Sequence, residues 1–237
     1  LRRRKRQAEL VELQIKEAKL RMFTNLSHEI RTPLTLVMTP LNKFREKEQR
    51  PQQKEIYNLM YRNLQRILRL VNQIMDMRKI DNGQLSLKFN EIDLIIFLQD
   101  IMKSFEGLAT QKHISFAFHS SYNDLKTWID VANFDKVIFN LLSNAFKFTP
   151  EYGSIDVCVE TKKKEERIGL PSIIKEYVEI KIYNTGQTIS EENLERIFQR
   201  FVRVDEHHEQ EGSGIGLHLA KVITELHHGL IKARSEE

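Results

Sequence analysis

The chain has 237 residues, enough for one large domain or two ordinary ones. With 41% hydrophobic and 30% charged residues, its composition is that of a globular chain with long amphipathic helices, which excludes a disordered or fibrous protein. The net charge is only +4, and much of the excess sits in Arg2, Arg3, Arg4, Lys5 and Arg6, which argues against a nucleic-acid surface spread over a fold.

No apolar run reaches the roughly 18 to 20 residues needed to span a bilayer. The opening LRRRKRQ has no apolar core behind it and is not a signal peptide. It reads either as the cytoplasmic flank of a preceding transmembrane helix, where Lys and Arg collect, or as a solvated helix start. The single Cys158 excludes a disulfide framework and fits a reducing compartment.

From residue 8, Ala8, Val11, Ile15, Ala18 and Met22 recur at spacings of three and four. Leu26, Ile30, Leu34, Val37, Leu41 and Phe44 continue the stripe, with strict heptad timing broken near His28. Here the helix carries FTNLSHEIRTPLT (23–35), with His28 beside Glu29 and Pro33 five residues on; a proline inside a helix removes a donor and loosens it. Residues 45–53, REKEQRPQQ, read as a turn. A second helix follows with two stripes, one through Ile56, Met60, Asn63, Ile67, Leu70, Ile74 and Met77, with Asn63 its one polar member, and one through Leu64, Leu68, Val71 and Met75. A hairpin of two helices cannot bury both stripes, so pairing with a second copy into a four-helix bundle is expected, and with it a homodimer.

After DNGQ (81–84) the pattern changes. DLIIFLQDIMKSFEGLA predicts a helix, ISFAFHS and KTWID short strands, and NFDKVIFNLLSNAFKFT another helix. SIDVCVETK and EYVEIKIYN alternate as strands, joined by a polar hairpin, KKKEERIGLPSIIKE. ISEENLERIFQRF predicts a helix capped by Ser190, and IGLHLAKVITELHH a helix stopped by Gly229. LIKARSEE predicts a last strand, cut short after Glu237. The class is α+β, with a mixed sheet covered by helices on one face.

Four stretches in this second half carry chemistry. Asn140, Asn144 and Lys147 fall at i, i+4 and i+7 on one helix face, where burial without partners is costly. A metal ion and phosphates would be such partners; a solvated polar face is the alternative. NTG puts Asn184 and Gly186 at a strand end, and IFQRFVR interleaves Phe198 and Phe201 with Arg200 and Arg203. GSGIGLHLAK sets Gly212, Gly214 and Gly216 before a helix, where backbone amides approach anions, without the spacing of a Walker or dinucleotide loop. Paired His207–His208 and His227–His228 lack the Cys or carboxylate spacing of a metal site.

In this order, FTNLSHEIRTPLT, NLLSNAFKFT, NTG, IFQRFVRVD and GSGIGLHLAK resemble the H, N, G1, F and G2 boxes of sensor histidine kinases over nearly the whole chain. The resemblance implies a signalling helix with a dimerisation and histidine-phosphotransfer hairpin at 1–82. It implies a C-terminally truncated catalytic domain at 83–237, an α/β sandwich of Bergerat type that binds ATP. It further implies that His28 attacks the γ-phosphate, that Glu29 acts as general base, and that Thr32 positions a water for dephosphorylation. Asn144 matches the Mg²⁺ ligand, Lys147 the phosphate-binding lysine and Asn140 the polar residue near the transferring phosphate. Asn184, Gly186, Phe198, Arg203, Gly212, Gly214, Gly216 and Leu217 complete the expected ATP site, with the short acidic VDEHHEQE as its lid. The implied partners are a second copy and a receiver domain whose aspartate takes the phosphoryl group. The implied place is the cytoplasmic face of the inner membrane, as the soluble portion of a sensor anchored by a preceding segment.

Two positions leave the family pattern. Asn184 stands where aspartate is usual, so the bond accepted from adenine lacks charge assistance. Thr188 stands where the second glycine is usual. Two further readings are therefore carried: a dimeric signalling scaffold with impaired nucleotide binding or a phosphatase-dominant sensor, and a different Bergerat ATPase, against which the helical hairpin argues.

Overall fold

The computed structural model describes residues 29–166, 173–202 and 213–236. His28, Arg203, Gly212, the acidic VDEHHEQE and the apolar stripe before Ile30 lie outside the described residues. The chain divides into two compact units, one ending at Ser86 and the other beginning at Leu87.

In the first unit residues 29–47 are helical (α1) and Pro51–Asp81 form α2, about 46 Å long at 1.5 Å per residue. The expected turn of 45–53 shrinks to residues 48–50. Pro51 starts α2 instead of breaking it, because the first helical position needs no amide donor and suits proline's fixed φ. The turn is held by Glu48, whose carboxylate takes bonds from the Arg50 amide at 3.0 Å and guanidinium at 2.9 and 3.0 Å. Helix α1 runs without interruption through Pro33 and Pro40. Arg31 donates to Asn72 Oδ1 at 2.7 Å near one end of the hairpin. Arg45 lies over the Tyr61 ring at 4.3 Å near the other, so α1 and α2 are antiparallel.

The two stripes of α2 part company. Leu64, Leu68 and Val71 are half-buried and Met75 is buried, whereas Ile56, Met60, Ile67 and Ile74 are exposed. The hairpin buries one apolar stripe and leaves most of the other in solvent.

The second unit opens with β1 (Asn90–Asp93), a strand the sequence pattern does not announce. Then come α3 (Leu94–Gln111), β2 (Ser115–Ser120), β3 (Lys126–Ile129), α4 (Val131–Phe148), β4 (Ser154–Glu166) and β5 (Ile173–Asn184). Helices α5 (Glu191–Arg196) and α6 (Gly216–Leu226) close the described fold. The strands form two sheets: β1 pairs antiparallel with β3, and β4 lies between a parallel β2 and an antiparallel β5. Ile155, Val157 and Val159 of β4 alternate inward and are essentially inaccessible. They meet Leu94, Leu98 and Ile101 of α3 and Ile138, Leu142 and Phe146 of α4 in one core. Helix α6 buries Leu219, Ala220 and Ile223 and packs on α4. Asp93 and Asp130 cap α3 and α4, accepting from the amides of Ile95 at 2.9 Å and Asn133 at 3.0 Å.

Three expectations need correction. Residues 230–236 form no strand; Leu230 is exposed, and the Ser235 hydroxyl accepts the Ile189 amide at 2.9 Å. The helix expected over ISEENLERIFQRF stops at Arg196, and its Ser190 hydroxyl takes the Asn193 side chain at 2.9 Å instead of a backbone amide. At the end of α6 the left-handed residue is His228, with φ of 60°, and not Gly229. Gly229 is tight for another reason: its amide donates to the Thr224 carbonyl at 2.9 Å, and a Cβ there would meet the Thr224 methyl at 3.0 Å.

Candidate functional site

Helix α4 is the spine of the site. Asn140, Asn144 and Lys147 are half-buried on it. The Asn144 carboxamide has no hydrogen-bond partner among the described residues, so both its oxygen and its amide are open to a ligand. Lys147 holds its ammonium 4.6 Å from the Phe148 ring centroid.

The end of β5 meets the last turn of α4. A Cβ on Gly186 would stand 2.5 Å from the Phe148 carbonyl oxygen, so only glycine fits. Beside it the Thr185 hydroxyl accepts the Ser154 amide at 2.9 Å, and the Thr185 amide donates to the Ser154 carbonyl at 3.0 Å. The exposed Asn184 donates through Nδ2 to the Thr185 carbonyl at 3.2 Å, which leaves its oxygen as the atom to accept from a ligand. Thr185 escaped the sequence reading, although it is the middle residue of the NTG that was singled out.

At the other side of the site Gly214 and Gly216 lead into α6. Gly214 has φ of 67°, and the Phe201 amide donates to its carbonyl at 3.0 Å. His218, in the first turn of α6, binds this region from below. Its Nδ1 lies 2.9 Å from the Phe198 carbonyl and its Nε2 accepts Arg200 Nε at 2.9 Å. A carbonyl can only accept, so the Nδ1 carries the proton. Sequence reasoning missed His218; only its place one helical turn into GSGIGLHLAK could have raised it. The Phe198 ring is buried, and Leu217 is half-buried. The first amides of α6 form the positive end of a helix dipole, which suits an anion.

Asn144 and Lys147, Asn184 and Gly186, and Gly214 to Leu217 thus lie on elements packed against or abutting α4. Glu29 and Thr32 belong to the first unit, where both are exposed. Among the described residues no group of three His, Cys, Asp or Glu could hold a metal. Burial, aided by Asp156 and Glu160, pushes the Cys158 thiol up, away from reactivity.

Two family models match the chain. Residues 18–83 match the His Kinase A (phospho-acceptor) domain, and residues 129–237 match the histidine kinase-, DNA gyrase B- and HSP90-like ATPase. The chain belongs to the sensor histidine kinases.

Histidine kinase P4 of Formosa agariphila is 36% identical over 231 residues, covering 94% of this chain and 16% of that protein. The chain spans about a fifth or less of the first curated relatives it matches. Full-length ShkA in complex with AMPPNP has the same fold, with a TM-score of 0.69 at 21% identity, over 91% of this kinase and 42% of ShkA. Histidine kinase ThkA in complex with the response regulator TrrA gives 0.56 at 24% identity, over 91% of this kinase and 57% of ThkA.

The site fits the ATP its ATPase family implies. The unpartnered Asn144 oxygen, the Lys147 ammonium and the glycine backbones at 186, 214 and 216 make a donor set for a nucleotide and an oxygen-preferring metal.

Proposed function

We propose that this histidine kinase core phosphorylates its own His28 from ATP and passes the phosphoryl group to an aspartate of a response-regulator receiver domain. The observation that carries the reading is the half-buried Asn144 carboxamide without a partner, on the helix whose last turn abuts Gly186. A neutral imidazole nitrogen of His28 attacks the γ-phosphorus, the bond to the β,γ-bridging oxygen breaks, and ADP leaves. Glu29, the next residue, takes the proton from the other ring nitrogen. Thr32, four residues after His28 in the sequence, orients a water for hydrolytic dephosphorylation of the partner receiver domain.

Asn140 and Asn144 would hold the phosphates by hydrogen bonds, Lys147 would neutralise them, and Asn144 would be the protein ligand to Mg²⁺. When bound, the Mg²⁺ offsets charge on the transferring group. Asn184 accepts from the adenine amino group, Gly186, Gly214 and Gly216 let the backbone close on the nucleotide, and Phe198, Arg203, Gly212 and Leu217 frame the same site.

The exposed stripe Ile56, Met60, Ile67 and Ile74 supports a homodimer through a four-helix bundle. The ThkA–TrrA complex supports a receiver domain as partner. Among the described residues no helix is long and apolar enough to cross a membrane. The basic LRRRKRQ supports a place at the cytoplasmic face of the inner membrane behind a preceding anchor.

Incubation with γ-labelled ATP and Mg²⁺, beside His28→Ala, tests the reading. Label on the unaltered chain and none on the variant is expected; equal label on both overturns it.

A further inference from the structure

Asp130 does more than cap α4. One carboxylate oxygen accepts the Asn133 amide at 3.0 Å, the capping bond. The other accepts the Lys88 amide at 2.6 Å, two residues after the last residue of the helical unit. The Asp130 amide in turn donates to His227 Nε2 at 3.0 Å, and His227 Nδ1 lies 2.8 Å from the Ile223 carbonyl. Since a carbonyl only accepts, the ring carries its proton on Nδ1 and offers Nε2 as an acceptor. The His227 ring then lies edge-on to Phe89 at 5.2 Å and tilted against Phe134 at 5.2 Å. Asp130 is 5% exposed. Burial opposes its ionisation, yet the hydrogen bonds from the Lys88 and Asn133 amides outweigh burial and hold the carboxyl below its ordinary range.

Two successive residues at the entry of the catalytic unit are therefore fastened, Lys88 by its amide and Phe89 by its ring. Both fastenings converge on the N-terminus of the helix that carries Asn140, Asn144 and Lys147. The amide of Lys88 has no side-chain identity to read, so no sequence motif announces the bond.

We propose that Asp130 is a positioning residue for phosphoryl transfer: it pins the tether between the two units to the N-terminus of α4 through the Lys88 amide. The inference rests on the kinase reading above. In that reading His28 sits on one unit and the nucleotide on the other, so the transfer rate depends on where the tether leaves the catalytic unit. A pinned exit shortens the free tether and narrows the orientations it allows, which raises the effective concentration of His28 at the γ-phosphate. The site for ATP itself does not depend on the Lys88 bond.

Two substitutions remove the same bond from opposite sides. Asp130→Ser keeps a good capping hydroxyl for α4 but lacks the second oxygen for Lys88. Lys88→Pro removes the donor and leaves Asp130 intact. Each should lower the rate of His28 labelling at saturating ATP about tenfold, with the KM for ATP moved less than about twofold. The double variant should be no slower than either single one, because the bond can be lost only once. Amide hydrogen exchange should show Lys88 protected in the unaltered chain and fast in Asp130→Ser.

Unchanged labelling rates, additive losses in the double variant, a KM that rises as much as the rate falls, or an unprotected Lys88 amide would each overturn the inference. An unaltered chain that is not labelled at all would overturn the kinase reading as well. Normal labelling by both single variants would overturn the positioning role alone.

Discussion

The Phe201 amide donates to the Gly214 carbonyl at 3.0 Å, and both residues are left-handed, with φ of 61° and 67°. A Cβ on Gly214 would stand 2.8 Å from Phe201 Cα and from its carbonyl carbon. The bond joins the described residues on either side of 203–212 and delivers the chain into α6.

Gly214→Ala should therefore cost stability twice, through its φ and through the collision, with a combined loss of about 1 to 3 kcal/mol. Thermal unfolding of the full chain should show the loss, and calorimetric titration should show weakened ATP binding. Gly107, where a Cβ meets nothing within 4 Å, is the control: Gly107→Ala lies inside α3 and should stabilise by up to about 1 kcal/mol.

Asn144→Ala should abolish Mg²⁺-dependent labelling of His28 and leave the oligomeric state in light scattering unchanged. Its carboxamide has no partner among the described residues, so its removal should leave stability within about 1 kcal/mol of the unaltered chain. Labelling that survives in Asn144→Ala would show that another group holds the metal.

Asn184→Asp should tighten ATP binding several-fold, a gain on the order of 1 kcal/mol from charge assistance. Asn184 is exposed, so the new carboxylate stays hydrated, and the main loss is the 3.2 Å bond to the Thr185 carbonyl. Titration with ATP and with a purine nucleotide lacking the 6-amino group separates the effects: the gain should vanish with the second. Equal or weaker ATP binding by Asn184→Asp contradicts the account of this position.

Much of this fold is legible in the residues because it is periodic. The 3-4 spacing of Leu64, Leu68, Val71 and Met75 marks the buried stripe of α2, and the alternation of Ile155, Val157 and Val159 marks the inner face of β4. What was not legible depends on distant partners. β1 has four residues and exists because β3 pairs with it. The segment LIKARSEE alternates like a strand, yet no described strand pairs with it. The helix over ISEENLERIFQRF gives way to turns after Arg196, and five residues on Phe201 turns left-handed to reach Gly214, a partner 13 positions downstream. Of the candidate site, motif order in the sequence points to Asn144, Gly186 and Gly214, whereas Thr185, His218 and Asp130 each bond backbone groups that a sequence does not display.

The turn between α1 and α2 should be sensitive to acid. The Arg50 guanidinium and amide hold Glu48 at about 2, down from 4.5. A lowered carboxyl pKa means that the stabilisation is fully present above about pH 4.5 and is lost as pH falls towards 2. Protection of the Arg50 amide, taken relative to the intrinsic exchange rate at each pH, should fall across that window in the unaltered chain. Glu48→Gln should show raised exchange at neutral pH and little further change on acidification.

The central claim is that the phosphoryl group goes to a nitrogen of His28. Peptide mapping of the chain after incubation with ATP and Mg²⁺ measures this most directly, combined with the acid lability of the modification. One acid-labile phosphoryl group on His28 is expected, absent from His28→Gln and from Asn144→Ala. An acid-stable phosphate on the neighbouring Ser27 or on Thr32, or a phosphorylated peptide that persists in His28→Gln, would contradict it.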